Sequence, residues 1–286
     1  MPTRPNPVIL VTGTSRGLGY EIARLLLTMH IPLSLVTVSR SYSPSGTVAL
    51  PDNTIHSHTH IQLDLSVPGG PAAAVAGAVA TYGRLDGIVV NHGVLDPVER
   101  IAGPEGEKEE EVEEREKVQG GGEGGEAAPP DGLDEWRMAW EVNFFSVLGL
   151  CRSAIPHLRA TSGRIVFISS GASQKGYSGW GCYSASKAAL NSLCRTLATE
   201  EPLITSISLR PGVMDTQMQR DVRERHGRAM GAGQERFMEL HRRGALLKPE
   251  KPGAVVANLV IRGGKELSGG YFSWDSPEMR PYRSSD

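Results

Sequence analysis

Hydrophobic positions follow two alternating patterns along this chain. Short runs in which nearly every residue is apolar and many are β-branched, "PVILVTG", "IPLSLVTVSRS", "HIQLDLS", "LDGIVVNHG", "GRIVFISS" and "ITSISLRPG", predict strands buried on both sides. Between them the apolar residues recur every three or four positions. This helical spacing covers "SRGLGYEIARLLLTMH", an alanine-rich stretch over 70–82, the long "GLDEWRMAWEVNFFSVLGLCRSAIPHL" and the segment that begins "YSASK". Strands without a polar face need cover on both sides, which helical crossovers supply. The order predicts an α/β fold: a single domain over 1–286 with a doubly wound parallel sheet and helices on both faces.

One stretch breaks the rhythm. Residues 103–132, "GPEGEKEEEVEEREKVQGGGEGGEAAPPDG", carry roughly eight net negative charges among glycines and prolines, the composition of a solvated, disordered insertion. The functional alternative is an acidic arm that docks a basic partner.

Composition narrows the function. No run of about 18 apolar residues exists to span a bilayer, and "MPTRPNPVILVTG" has no basic, apolar and small-residue leader pattern, so a cytoplasmic protein is expected. Three cysteines, Cys151, Cys182 and Cys194, lack the count and spacing of a disulfide framework or zinc site. "HSHTH" aligns His56, His58 and His60 on one side of an extended segment, but no fourth ligand is apparent and no metal is expected. A net charge of −2 leaves no footprint for nucleic acid. A small molecule is the expected ligand.

The first strand-turn-helix unit indicates which kind. In "VTGTSRGLGYEIA", Gly13, Gly17 and Gly19 allow a tight turn and close backbone approach to a pyrophosphate at the positive end of the next helix. At the end of the second strand, an acid would normally grip the adenosine ribose 2′-hydroxyl of a dinucleotide. Ser39 and Arg40 stand there instead, and Arg16 lies in the glycine turn. A guanidinium grips a 2′-phosphate where a carboxylate would repel it, so NADPH/NADP+ is expected over NADH. Asp64 falls near the adenine, and Asn91 and Gly93 of "NHG" near the fourth strand's edge of the same site.

Chemistry is expected at "SGWGCYSASKAALNSL", where Tyr183 and Lys187 stand four apart and share a helix face. A hydride delivered to a carbonyl leaves an alkoxide that must receive a proton, for which a phenol beside an ammonium is suited. A cation within about 4–6 Å lowers a phenol's pKa by about 1–3 units.

Together, "TGTSRGLG", "NHG", Asn143 in "VNFFSVLG", Ser170 in "ISSGAS", "YSASK" and "RPGVMDT" resemble the short-chain dehydrogenase/reductase family with its Rossmann-type fold. The motifs keep the family's order from residue 8 to about 272. The resemblance implies that Tyr183 donates the proton, Lys187 lowers its pKa and holds the nicotinamide ribose, Ser170 orients the substrate oxygen, and Asn143 anchors a water relay. It implies cofactor contacts from Ser15 and Leu18 in the glycine turn, from Leu65, and from Pro211, Gly212, Val213 and Thr216 on the nicotinamide side. His92 stands where the family usually has alanine, and Cys182 beside Tyr183 would make the enzyme thiol-sensitive if exposed.

"FISSGASQKGYSGWGCYSASKAALNSL" and the tail "LSGGYFSWDSPE" look like the sepiapterin reductase and benzil reductase subgroup. That implies reduction of a ketone, especially one carbonyl of a vicinal dicarbonyl, by a homodimer or homotetramer. Ser273 stands where sepiapterin reductases hold pterin with an aspartate; Asp275 follows two residues on. Residues 213–247 occupy the family's substrate lid, with Trp180, Met214 and Met218 as pocket candidates. Two alternatives stand beside the reductase: an alcohol dehydrogenase of the same family, and a catalytically silent NADPH-sensing interaction protein.

Overall fold

The computed structural model describes residues 6–41, 55–102 and 132–283. The acidic insertion, apart from Gly132, lies outside the described residues. The strands are β1 Val8–Thr12, β2 Ser34–Ser39, β3 Ser57–Gln62, β4 Gly87–Val90, β5 Arg164–Ile168, β6 Thr205–Arg210 and β7 Tyr271–Ser273. They form one sheet in the order β3-β2-β1-β4-β5-β6-β7. Every neighbouring pair is parallel.

Crossovers and flanking helices cover the faces: α1 Gly17–Leu26, α2 Gly70–Tyr82, α3 Asp134–Trp140, α4 Ser146–Thr161, α5 Gly181–Glu200, α6 Gln217–Glu224, α7 Gly227–Met230, α8 Glu235–Arg242 and α9 Glu250–Arg262. Strand side chains alternate between two cores. Ile9, Val11, Leu35 and Leu209 pack with Ile22 of α1 and Val256 of α9. Val8, Leu10, Val36 and Phe167 pack with Ala74 of α2, Leu150 of α4 and Leu190 of α5. Burying an aliphatic side chain of this size fully contributes roughly 1.5–3 kcal/mol, and both sheet faces collect that gain.

Three features depart from the hydrophobic pattern. The third strand starts at Ser57, ahead of the apolar run, because β2 recruits it through backbone pairing from Ser34↔Ser57 to Ser39↔Gln62. As an edge strand it need not be apolar on both faces, and its residues are half-buried or exposed. The long helix expected around Asn143 is interrupted by a π turn, Glu141–Phe145, between α3 and α4. Finally, α9 and β7 lie in a stretch where no element was expected. Pro252 and Gly253 punctuate its start, yet Pro252 sits in the first turn, where its missing N–H is tolerated. Gly253 lets α9 close on α1, since a Cβ there would lie 3.1 Å from Leu25 Cδ1.

The sheet's order reverses about β1, whose neighbours are β2 and β4. Ligands of open parallel sheets bind outside the strands' carboxyl ends at such a switch point. Residues 213–247 lie over that edge as α6, α7 and α8. Val222, Met230 and Phe237 from these helices pack against Leu95, Trp180 and Tyr183.

Candidate active site

A cleft of about 520 Å³ runs along the carboxyl edge of the sheet. One end is built by the glycine turn. Gly13 and Gly17 have φ of 70° and 59°, the left-handed region that favours glycine. The turn is clasped from the side: Asn91 Nδ2 donates to the carbonyls of Thr12 (3.0 Å) and Gly13 (3.1 Å). At Gly19 a Cβ would lie 2.2 Å from Gly13 O, so this glycine serves helix-to-turn packing, and it does not line the cleft.

Ser15, Arg16, Gly17 and Leu18 line this end, with Ser39, Arg40, Asp64 and Leu65 opposite. Ser39 Oγ donates to Ser41 O at 2.7 Å. Asp64 accepts from Ser66 Oγ (2.7 Å) and Ser66 N (2.9 Å), bonds that hold its carboxyl below the usual carboxylate range. The first turn of α1 has no acid and no side-chain cap, so its N–H groups are left for an anion. Glycine turn, uncapped helix and flanking guanidinium groups fit a phosphorylated dinucleotide.

At the other end, α5 starts at Gly181 and presents Tyr183 and Lys187 one turn apart. Lys187 Nζ donates to Ile168 O at the end of β5 (2.9 Å) and lies 5.7 Å from the Tyr183 ring centre. Burial pushes this ammonium down to about 8. Burial also raises the Tyr183 phenol above its ordinary value, and a hydrogen bond with the Ser170 hydroxyl pulls it partly back. Desolvation is thus the largest influence on the phenol, and its pKa stands above the ordinary value where the sequence led to an expected lowering. Ser170 is fixed from two sides, its Oγ accepting from Ala172 N (3.2 Å) and its carbonyl accepting from Tyr271 Oη on β7 (3.0 Å).

Asn143 is buried behind this pair and does not line the cleft. Its Oδ1 accepts from Val94 N (2.8 Å), while Nδ2 donates to Val94 O (2.9 Å) and Ser186 Oγ (3.2 Å). It ties the π turn to the chain beyond β4 and to α5. Gly93, on the cleft wall, faces the same carboxamide: a Cβ there would lie 3.1 Å from Asn143 Oδ1.

His92 lines the cleft and bridges elements. Its Nδ1 lies 2.7 Å from Thr12 Oγ1 and its Nε2 2.9 Å from Ser146 Oγ. Ser146 Oγ donates to Val142 O, so it accepts from Nε2–H. Enclosure, reinforced by the charge of Lys187, pushes the imidazole down to about 3, so the ring is neutral.

Pro211, Gly212, Val213 and Thr216 line the nicotinamide side, as do the pocket candidates Trp180, Met214 and Met218. Trp180 is buried, stacked on Phe237 (5.4 Å) and edge-on to Tyr183 (5.7 Å). Sequence reading did not single out Phe237, Tyr177, Gln219 or Arg210, all on the cleft wall. Arg210 was discoverable, since it directly precedes Pro211 in "RPGVMDT". Phe237 and Gln219 sit on short, highly charged helices whose single apolar or amide residues carry no motif.

Asp275 accepts from Ser273 Oγ (2.5 Å) in an exposed pair, and neither residue lines the cleft. Cys182 is buried and its thiol is pushed up to about 11, so it is not an exposed nucleophile. His58 Nε2 and His60 Nδ1 both contact Thr37 Oγ1, at 2.8 and 3.0 Å. His56 Nε2 contacts Met29 O at 2.9 Å.

Comparison with known proteins agrees with this arrangement. The short chain dehydrogenase family model matches residues 7–118 and 120–227. A benzil reductase ((S)-benzoin forming) of Saccharomyces cerevisiae is 33% identical over 282 residues, covering 96% of this chain and 98% of its own. Over a shorter stretch of 88 residues, 30% of this chain and 33% of its own, sepiapterin reductase of Bos taurus is 41% identical. The crystal structure of the YIR035C short chain dehydrogenase/reductase from Saccharomyces cerevisiae superposes with a TM-score of 0.81 at 30% identity, covering 98% of this chain and 100% of that one. The fold and cleft are those of a nicotinamide-dependent oxidoreductase. The chain belongs to the short chain dehydrogenase family.

Proposed function

We propose that this protein is an NADPH-dependent carbonyl reductase of the cytoplasm. Its substrate is a ketone, either one carbonyl of a vicinal diketone of the benzil type or a sepiapterin-like compound. The observation that carries this reading is Tyr183: a buried phenol on the wall of an aromatic-lined cleft that Ser170 also lines, one helical turn from the buried Lys187. At neutral pH it holds its proton, ready to give it to an alkoxide, which suits reduction. The alternative, alcohol oxidation, asks the same group to be a phenolate base.

Bound NADPH supplies the hydride; the chain's residues do the rest. Ser170 and Tyr183 hold the substrate oxygen, Tyr183 delivers the proton as charge develops there, and the Lys187 ammonium stabilises the phenolate left behind. Asn143 keeps the π turn, Val94 and α5 in register beneath them. Arg16 and Arg40 grip the 2′-phosphate. Residues 213–247 act as the lid of one catalytic domain, and a dimer or tetramer forms through α4 and α5. Among the two substrate types the diketone is favoured, because the sepiapterin-type tail acid has no counterpart facing the cleft: Ser273 and Asp275 bond each other instead.

The test is consumption of NADPH and, separately, NADH by the purified protein with vicinal diketones, sepiapterin and simple ketones, alongside Tyr183→Phe. Diketone-dependent NADPH oxidation that vanishes in the variant is expected. Tight cofactor binding with no turnover of any compound would favour the NADPH-sensing alternative, and preference for NADH would overturn the reading of Arg40.

A further inference from the structure

The reaction end of the cleft contains a cation with no assigned task. Arg210 is the last residue of β6 and precedes Pro211. Leu209 points into the core under α1 and α9, so alternation turns Arg210 to the opposite face, which carries α5. Its guanidinium lies against Gly171, the residue after Ser170. A Cβ on Gly171 would stand 3.3 Å from Arg210 Nε and 3.6 Å from Cζ, so the glycine makes room for it.

The other cations on the cleft wall are accounted for. Arg16 and Arg40 belong to the adenosine end, Lys187 is bonded to Ile168 O, and exposed Arg236 donates to Tyr177 Oη at 3.3 Å. Among the described residues no acceptor takes a hydrogen bond from the Arg210 guanidinium, and no carboxylate lies within ion-pair distance of it. The residue is half-buried on the cleft wall. A partly desolvated cation without a counter-charge is costly, and a planar fork of donors matches a carboxylate.

Two further cleft residues leave buried polar atoms unsatisfied among the described residues: Trp180 through Nε1, and Gln219 through both Nε2 and Oε1. Buried polar groups are ordinarily bonded, so the two N–H donors, Trp180 Nε1 and Gln219 Nε2, suit acceptor oxygens on a bound molecule. Beside them Tyr177, Trp180 and Phe237 form an aromatic cluster, with centroids 5.0, 5.4 and 6.0 Å apart, able to hold a ring.

We infer that Arg210 anchors a carboxylate and that the substrate class is an aryl 2-oxo carboxylate. This is a vicinal dicarbonyl in which a carboxylate replaces the second ketone, and the inference rests on the carbonyl reductase reading above. The ring lies on the Tyr177–Trp180–Phe237 cluster, the ketone meets Ser170 and Tyr183, and the carboxylate pairs with Arg210. In the reaction the ketone C=O π bond opens, the carbon gains the hydride of NADPH, and the oxygen gains the proton of Tyr183. One 2-oxo carboxylate, one NADPH and one proton yield a 2-hydroxy carboxylate and NADP+.

The experiment compares benzoylformate, its neutral methyl ester and benzil as substrates of the full-length protein, Arg210→Gln and Arg210→Lys. Dissociation constants for benzoylformate with the NADP+-loaded protein and for NADPH alone are measured in parallel. Loss of a charge-assisted pair lowers the acid-to-ester ratio of kcat/KM by about 100-fold in Arg210→Gln, chiefly through KM, and Arg210→Lys restores part of it. Benzoylformate binding weakens to a similar degree while NADPH affinity changes less than about threefold, on the same estimate.

An equal loss on acid and ester would show that Arg210 only props the Ser170–Gly171 turn, and weakened NADPH with an unchanged ratio would place the guanidinium on the cofactor. Either result overturns the inference. Wild-type protein that reduces benzil but neither binds nor reduces benzoylformate would overturn it while leaving the reductase reading intact. Arg210-dependent benzoylformate binding with no turnover of any ketone would support the anchor and remove the reductase reading.

Discussion

The two ends of the cleft are built in different ways. The adenosine end comes mostly from one local unit, β1, the glycine turn and α1, with Ser39 and Arg40 added from the end of β2. The reaction end gathers Ser170 from beyond β5, Tyr183 and Lys187 from α5, Asn143 from the π turn and Arg210 from β6, with Tyr271 of β7 holding Ser170 from behind. A local turn needs backbone freedom and exposed donors. A proton-transfer site needs burial, and burial changes the chemistry of what it encloses: it raises the Tyr183 phenol and pushes the Lys187 ammonium down to about 8.

This contrast is sharpest under mutation of Tyr183. Tyr183→Phe removes the proposed proton donor and is expected to lower kcat by about 10³-fold or more, at the upper range of general acid catalysis. The dissociation constant for NADPH, set largely at the other end, is expected to stay within about threefold, given that Phe preserves the packing. Fluorescence titration beside steady-state kinetics checks this; a comparable loss of cofactor affinity would mean that the ends are not separable.

The reverse experiment is Arg40→Asp. On the proposal that Arg40 holds the 2′-phosphate, replacing it with a repelling acid is expected to raise KM for NADPH by about 30- to 100-fold. NADH, which lacks that phosphate, should be spared, and kcat with saturating NADPH should hold. Equal effects on both cofactors would remove Arg40 from phosphate recognition.

Burial also predicts a pH dependence. In the proposed mechanism Lys187 works as an ammonium, and burial pushes it down from the ordinary lysine range to about 8. The active protonated form is therefore present below about pH 8 and lost as pH rises through it, so kcat/KM for NADPH should fall tenfold per unit above that point. Lys187→Arg, which stays charged, should lack this limb; an unchanged limb would assign it to another group.

The smallest expected effect concerns thiols. Cys151, Cys182 and Cys194 are buried and pushed up to about 12, 11 and 11, so at pH 8 the folded protein should react negligibly with a thiol reagent over an hour. Denaturant should expose all three at once. Prompt loss of activity on Cys182 alkylation in the folded state would contradict the enclosure of the reaction end.

The alternation of apolar runs with helical spacing carried the parallel α/β class, six of the seven strands and the helices α1, α2, α4 and α5, because strands buried on two faces have no other common solution; α9, which covers one face with α1, and β7 were not carried. The same string singled out Gly13, Gly17, Ser170, Tyr183 and Lys187 by residue type at short spacing, and the fold brings all of them to the cleft wall. It did not carry the break at Glu141–Phe145, where Asn143 bonds to Val94 across the fold, a contact that local spacing does not encode. Nor did it carry the start of β3 at Ser57, where backbone pairing with β2 outweighs side-chain pattern.

Tertiary structure alone decided that His92 is a neutral bridge between Thr12 and Ser146, that Cys182 is shut away, and that Asp275 turns from the cleft. It also placed Arg210 beside Gly171 without a partner among the described residues. The physical reason is common to all four. A motif states which groups are available, whereas enclosure, counter-charge and hydrogen-bond supply come from residues distant in the chain, and these decide what each group does.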